Sequence, residues 1–250
     1  MIFASIILAK LELTVVIPAY NEENRISRTL RAIHDYFSGR HHEIIVVDDG
    51  STDGTIASVH ALGIPTVRVI SYSGNRGKGY AVREGMLASK GRYVLLSDAD
   101  LSTPIHCFDD LWAHHGDHEV VVGSRGLQSS QVNNHWYRVF LGKMGNKLIQ
   151  TVVPGIVDTQ CGFKLFEGEA ARHIFRQQRL EGFGFDFEVL SIAQHMGLSL
   201  KEVPVRWVNA EGSKVRPHHY FSTLRELGQV WLNHRKGVYQ YGLTRSELYQ

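Results

Sequence analysis

An α/β fold with a mainly parallel central sheet and helices on both faces is predicted by this chain of 250 residues. Three observations predict it. Short, apolar, β-rich runs alternate with stretches of helical period, the pattern of successive βαβ units. Four of those runs stop at polar clusters, PAYNEE, DDGSTDGT, SDAD and GSR. Right-handed crossovers bring the carboxyl ends of such strands to one edge, where open α/β sheets bind their ligands. A hydrophobic content of 43% over this length is enough for one sizeable core.

The elements follow in order. Leu13–Ala19 (LTVVIPA) reads as a buried strand, and Ile26, Leu30, Ile33 and Phe37 then share one helical face. Glu43–Val47 is a second strand, Thr66–Ile70 a third, and 79–89 a helix. Tyr93–Leu96 and Glu119–Val122 are the fourth and fifth strands. Beyond Arg125 the pattern predicts a helix over Trp136–Val153, strands over Cys161–Phe166 and Lys201–Trp207, and a helix over Phe187–Met196. The apolar run Ile2–Ala9 is far shorter than the ~20 residues of a membrane span. It lacks the basic start and cleavage site of a signal peptide, and reads as a lead-in to the first strand. With no linker, repeat or low-complexity tract, the expected division is one domain over 1–212 and an extension over 213–250.

Bulk properties exclude some classes. A net charge of +2 gives no global steering toward nucleic acid. Cys107 and Cys161 have no zinc spacing and suit reduced thiols of a cytoplasmic protein. The adjacent histidine pairs His41–His42, His114–His115 and His218–His219 point to different faces and chelate poorly.

The chemistry centres on Asp98 and Asp100, just past the fourth strand. Carboxylates at i and i+2 in extended chain share a face and repel unless a cation sits between them. Mg²⁺ or Mn²⁺ takes one or two carboxylates plus phosphate oxygens and stabilises a departing diphosphate. A lone Asp-x-Asp is as readily a surface turn. The preceding strand and the companion clusters single this one out. Among those companions, Asp48 can accept hydrogen bonds from a base or ribose. Tyr20 offers a flat surface and Glu22 an acceptor for a nucleoside. Ser51, Thr52 and Asp53 read as cap or turn residues. The segment GNRGKG fits neither the P-loop nor the dinucleotide pattern. That leaves a basic turn feeding a helix N-terminus, with Lys78 near the ligand. The string DADLST also fits an Asp-nucleophile phosphatase, but that motif normally ends the first strand of its fold, and PAYNEE would then have no role. The intact Asp98–Asp100 pair argues against an inactive binding module.

Taken together, VVIPAYNEE, EIIVVDDGSTDGT, NRGKGYAVREGM, LLSDADLSTP and VVGSR resemble the inverting nucleotide-sugar glycosyltransferases of GT-A fold. In the second half DTQCGFKLF, GFGFDFEVL, EVPVRW and EGSK are similar to the dolichyl-phosphate β-glucosyltransferases and their prokaryotic relatives. The resemblance implies nucleotide-sugar contacts at Pro18, Ala19, Tyr20, Glu22, Asp48, Asp98, Ala99 and Asp100, with Asp100 as the principal metal ligand. It implies glucose from UDP-glucose, a polyprenyl or dolichyl phosphate acceptor and inversion at the sugar. Another donor such as GDP-mannose, or a saccharide hydroxyl acceptor, is the alternative. Related mannosyltransferases carry a Gln ligand where this chain has Ser102. Arg125 and Arg138 match arginines that those relatives use for the acceptor phosphate, although Gly142 stands where a Ser is expected.

A phosphate acceptor arrives as an anion and needs no general base, unlike a sugar hydroxyl. Its site calls for cations, and Arg125, Arg138, Lys164 and Lys214 are the candidates. Asp186 and Glu188 alternate with Phe183, Phe185 and Phe187, which in extended chain makes one face acidic and the other apolar. Asp186 is the candidate base for a hydroxyl acceptor and is expected instead to position acceptor or sugar. Between Leu198 and Gln250 eight Lys/Arg stand against four Glu. Tyr220, Leu224, Leu227, Val230 and Trp231 form a helical stripe there. A basic amphipathic helix suits peripheral binding to the cytoplasmic face of an anionic membrane.

Overall fold

The computed structural model describes residues 11–127, 131–132, 148–208 and 219–240. Its elements are β1 (Leu13–Ala19), α1 (Ile26–Tyr36), β2 (His42–Asp48), α2 (Thr55–His60), β3 (Val67–Ser71), α3 (Lys78–Ala88), β4 (Tyr93–Leu96), α4 (Phe108–Trp112) and β5 (Val120–Ser124). There follow β6 (Gln131–Val132), β7 (Lys164–Glu167), α5 (Gly168–Gln177), α6 (Phe185–His195), β8 (Leu200–Pro204), β9 (Arg206–Trp207) and α7 (His219–Arg235). The predicted helix from Trp136 falls outside the described residues as far as 147, as do the run Ile2–Ala9 and the candidates Arg138 and Lys214.

The main sheet has the order β3-β2-β1-β4-β7-β5-β8. Pairings β1–β2, β1–β4, β2–β3 and β5–β8 are parallel. Only β7 runs the other way, between β4 and β5. The predicted architecture, α/β with a mainly parallel sheet and helices on both faces, is therefore present. Alternate side chains go to opposite faces and both faces are buried, as parallel strands require. Val16, Ile45, Val47, Val94, Leu96, Val120 and Val122 pack in one core with residues of α3, α5 and α6. Val15, Ile17, Ile44, Val46, Leu95 and Val121 pack in the other with α1 and α4.

Three element predictions are corrected. Strand pairing in the segment from Cys161 starts only at Lys164, and the residues before it form a turn. The run Lys201–Trp207 divides at Val205, whose N–H donates to Ser124 O at the end of β5. Past that point no main-sheet neighbour remains, and β9 pairs instead with β6. The run Phe183–Glu188 is not extended, because α6 begins at Phe185.

In α7, Leu227 and Val230 face inward and join the core. Leu224, Trp231 and Leu232 stay outside, each nearly half exposed. The predicted stripe thus splits, Leu227 and Val230 packing inward and Leu224 and Trp231 lying outward, while the Tyr220 side chain falls outside what is described. At its end His234 stacks on His195 of α6, centroids 4.0 Å apart, with Ser191 Oγ 2.7 Å from its Nε2. Burial, and then repulsion from His195, lower the His234 pKa from 6.5 to about 4. The native state holds the ring neutral while the unfolded chain takes up the proton. The contribution is therefore present above about pH 6.5 and is lost as the pH falls toward about 4. The thermal midpoint is expected to decline across that window, and His234→Phe, which keeps the stack without the titration, to flatten the decline. Equal pH slopes for both proteins would refute this.

Candidate active site

All parallel strands send their carboxyl ends to one edge, and the loops there interlock. The turn after β1 is fixed by the turn after β2. Asn21, at φ 53°, donates its N–H to Ser51 Oγ, and its side-chain oxygen accepts from Thr52 N, each at 2.8 Å. Asp53 serves as a turn residue, not a cap. It accepts from Thr55 N and Glu23 N, whereas α2 is capped by Gly54 without a side-chain bond. Glu22 pairs with Arg25, and its N–H reaches Thr55 Oγ1. Tyr20 and Pro18 are partly exposed beside Ala19, which is buried.

Asp48 and Asp49 diverge, as neighbours past a strand do. Asp48 is 2% exposed. Its Oδ2 accepts from Ser51 N at 3.2 Å, while Oδ1 is buried without a hydrogen-bond partner among the described residues. An unmatched buried acceptor is costly and marks a place where a donor is wanted. Asp49 was not singled out in the sequence, and it holds the next loop. It accepts from Tyr72 O–H, Arg76 N and Gly77 N at 2.8–2.9 Å. That loop packs backbone to backbone. A Cβ on Gly50, at φ 70°, would stand 2.5 Å from the carbonyl carbon of Gly74.

The loop delivers Lys78 to the start of α3, after Gly77 at φ 108°. Its Nζ donates to Asp98 Oδ1 at 2.6 Å. Burial opposes the Lys78 charge, but Asp98, Asp186 and Asp100 outweigh it and raise the ammonium above its ordinary value. On the far side of Asp98, a Cβ on Gly162 would fall 2.0 Å from Oδ2. The carboxylate is thus held between an ammonium and a backbone that only glycine leaves open. Asp100 accepts from Ser102 N at 2.9 Å in a tight turn with Leu101 at φ 50°. Thr29 of α1 secures the turn by donating to Ala99 O.

Among the described residues no group of three or more His, Cys, Asp or Glu is placed to hold an ion alone. Two carboxylates fit Mg²⁺ or Mn²⁺, which complete their shells with phosphate oxygens and water.

Arg125 follows β5. Its Nε and Nη2 donate to Asp158 at 2.7 and 2.9 Å, and its backbone N–H also reaches Asp158. Burial works against both charges, yet the pairing wins. Asp158 is held below the usual carboxylate range and Arg125 above its ordinary value. Two of five N–H donors are thereby engaged, and the Trp207 ring lies 5.9 Å away. The pair is neutral overall, so Arg125 offers oriented N–H groups rather than an uncompensated charge.

Lys164 is corrected. It is 0% exposed, and its Nζ donates to Asp186 Oδ1 at 2.5 Å and Cys161 O at 2.6 Å. It presents no free cation to an acceptor. Asp186 is 3% exposed, and burial raises its carboxyl against the pull of Lys164 and Lys78. Residues two apart on a helix point apart, so Glu188 leaves the site. It accepts instead from Arg179 N, Leu180 N and Tyr239 O–H. Asp158 and Gly162 had no assigned role in the sequence.

Comparison with known proteins gives one family over most of the chain. Residues 14–175 match the model of glycosyl transferase family 2. The chain is 34% identical to the dolichyl-phosphate beta-glucosyltransferase of Drosophila melanogaster, covering 92% of this chain and 77% of the fly protein. It is 34% identical to the human enzyme of that name, covering 94% and 79%. A Trichomonas vaginalis member is 38% identical over 90% of this chain and 72% of its own. Among solved structures, glucosyl-3-phosphoglycerate synthase from Mycobacterium tuberculosis, in complex with Mn²⁺, UDP-glucose and phosphoglyceric acid, superposes with a TM-score of 0.69. Its identity is 20%, with 94% of this chain and 83% of that one covered. Mannosyl-3-phosphoglycerate synthase from Rubrobacter xylanophilus gives 0.69 at 18% identity, over 94% and 79%. At such identities the likeness is one of fold.

Proposed function

The chain belongs to glycosyl transferase family 2, with the dolichyl-phosphate beta-glucosyltransferases as relatives over most of its length, and on that premise we propose that it transfers glucose from UDP-glucose to a polyprenyl or dolichyl phosphate with inversion. The observation that carries the choice of acceptor is the engagement of Asp186 by Lys164 inside the protein. Asp186 is 3% exposed and its Oδ1 is occupied by the Lys164 ammonium, so the carboxylate is closed off from an acceptor hydroxyl, and a phosphate acceptor needs no base. Asp186 is read as a positioning group.

In this reading the unmatched Oδ1 of Asp48 takes an N–H of the uracil, and Tyr20 lies against the nucleoside, beside Pro18, Ala19 and Glu22. Asp98, Ala99 and Asp100 meet the diphosphate, with Lys78 adding positive charge. Asp98 and Asp100 would hold Mg²⁺ or Mn²⁺, which when bound neutralises charge on the departing diphosphate. Arg125, aligned by Asp158, binds the acceptor phosphate, and Arg138 and Lys214 are proposed as further ligands of that phosphate. A phosphate oxygen attacks the anomeric carbon from the face opposite the diphosphate. The new C–O bond forms as the old one breaks, and UDP leaves with its electron pair.

No helix among the described residues is long and apolar enough to cross a membrane. The outward Leu224, Trp231 and Leu232, with the basic surroundings of the 213–250 extension, support peripheral binding at the cytoplasmic face of a membrane.

One experiment tests these points: a panel of nucleotide-sugars with polyprenyl phosphate in anionic vesicles, with and without EDTA. UDP-glucose is expected to be the best donor, EDTA to abolish transfer, Mn²⁺ or Mg²⁺ to restore it, and the protein to sediment with the vesicles. Preference for GDP-mannose, or transfer to a saccharide hydroxyl instead, would select the alternative. Phosphate release from sugar phosphates without nucleotide would overturn the reading.

A further inference from the structure

The loop carrying Lys78 rests on a second turn, 178–184, and that turn is held from the C-terminal segment. A Cβ on Gly77 would stand 2.5 Å from Glu181 O, and one on Gly79 2.7 Å from both Leu180 O and Gly182 O. Tyr80 N donates to Glu181 O at 3.2 Å, Arg76 pairs with Glu181 at 2.8 Å, and Gln178 Nε2 donates to Gly79 O at 2.9 Å. The two turns therefore move together or not at all. From α7, Glu226 Oε2 accepts from Gly184 N at 2.9 Å. A Cβ on Gly182 would meet Glu226 Oε1 at 2.2 Å, and one on Gly184 would meet Oε2 at 2.8 Å. Tyr239, just past α7, braces the same turn by donating to Glu188 Oε1, which also accepts from Arg179 N.

With the Lys78–Asp98 pair taken as part of the donor site, as proposed above, we infer that Glu226 is a positioning residue for the donor: from the C-terminal helix it fixes the 180–184 turn, and through it the loop that sets Lys78 on Asp98. The chain of contacts is continuous. Glu226 holds Gly184, the 180–182 carbonyls floor Gly77 and Gly79, and Lys78 between those glycines reaches Asp98 at 2.6 Å. Coupling is reciprocal, so nucleotide in the site also tightens the seat of α7.

The test uses the full chain and UDP with Mn²⁺ as the probe. Glu226→Ala is expected to raise the UDP Kd and the donor KM about tenfold, within the usual range of coupling between sites, while kcat at saturating donor stays within about twofold. Glu226→Gln keeps an oxygen that accepts from Gly184 N and is expected to restore most of the affinity. Gly182→Ala, which displaces the Glu226 carboxylate without removing it, is expected to repeat the loss, and serves if Glu226→Ala folds poorly. Hydrogen exchange at the Tyr80 amide, measured without ligand, is expected to speed up in Glu226→Ala. If the wild type binds no UDP yet Tyr80 exchange still responds, the donor-site reading fails and the clamp stands. If the wild type binds UDP and neither Kd nor Tyr80 exchange changes in Glu226→Ala and Gly182→Ala, the clamp is overturned.

Discussion

Replacing Lys164 with methionine is expected to cost about 3–5 kcal/mol of folding stability, the usual consequence of removing one partner of a buried ion pair. Against a total of about 5–15 kcal/mol for a domain, that is enough to unfold a marginal protein. The cost arises from Asp186, not from lost packing, because methionine nearly matches the lysine stem. Asp186 is 3% exposed and would lose the larger of the two named attractions, keeping the pull of Lys78. The pH dependence follows from the same group. Burial already raises the Asp186 carboxyl in the native state. A raised group contributes stability below its unfolded pKa and loses it as the pH rises through the folded value. Without Lys164 the folded value moves further up. The deficit of Lys164→Met is therefore expected to be small near the ordinary aspartate value of 3.8 and to grow toward neutral pH. Adding Asp186→Leu is expected to recover most of the stability, since a hydrophobic pair in place of a buried ion pair is often neutral. Urea midpoints at two pH values read all of this. A deficit independent of pH, or one that Asp186→Leu deepens, would show that the pair is not what Lys164 serves.

The parallel half of the sheet was legible because its periodicity and its loops agree. β1, β2 and β4 are apolar on both faces, and each runs into a polar cluster where chain direction alone places it at the ligand edge. Asp48, Asp98 and Asp100 were proposed on this ground, and Lys78 from the basic turn before α3. The antiparallel strand was not legible. Nothing in KLFE distinguishes its direction, and residues preceding a parallel strand belong at the opposite edge. Because β7 runs backwards, its leading turn arrives at the ligand edge with Asp158, Gly162 and Lys164. Asp158 was therefore missed as the partner of Arg125, and Lys164 was read as a free cation although its register partners are Leu96 and Val122, deep in the sheet. The pair in FDFE misled for another reason. Strict alternation over four residues is equally the first turn of a buried helix, where Phe185 and Phe187 both pack inward because α6 is surrounded. Asp49 was overshadowed by Asp48, since a tandem pair past a strand does not say which of the two turns toward the ligand.

Gly162→Ala is expected to lower turnover about 10²-fold or more while leaving the fold nearly intact, the scale of loss that follows a misplacement of about 1 Å in a reacting site. The three atoms nearest a Cβ at 162 all belong to the Asp98 side chain. The atoms in its way are those of the Asp98 carboxylate, with Oδ2 at 2.0 Å and Cγ at 2.5 Å. That side chain must swing aside, and it is also the one that Lys78 holds at 2.6 Å. The substitution thus displaces Asp98 without deleting it. If Asp98 is the group through which Gly162 acts, then Gly162→Ala in an Asp98→Ala background is expected to add no loss beyond that of Asp98→Ala alone, the non-additivity of residues that work as one unit. The denaturation midpoint of Gly162→Ala is expected to stay close to that of the wild type, because the displaced atoms are the end of a partly exposed side chain. Glucose transfer to polyprenyl phosphate and urea denaturation measure the two halves. Retention of turnover within about threefold, or losses that multiply in the double variant, would remove Asp98 from the place given to it at the diphosphate.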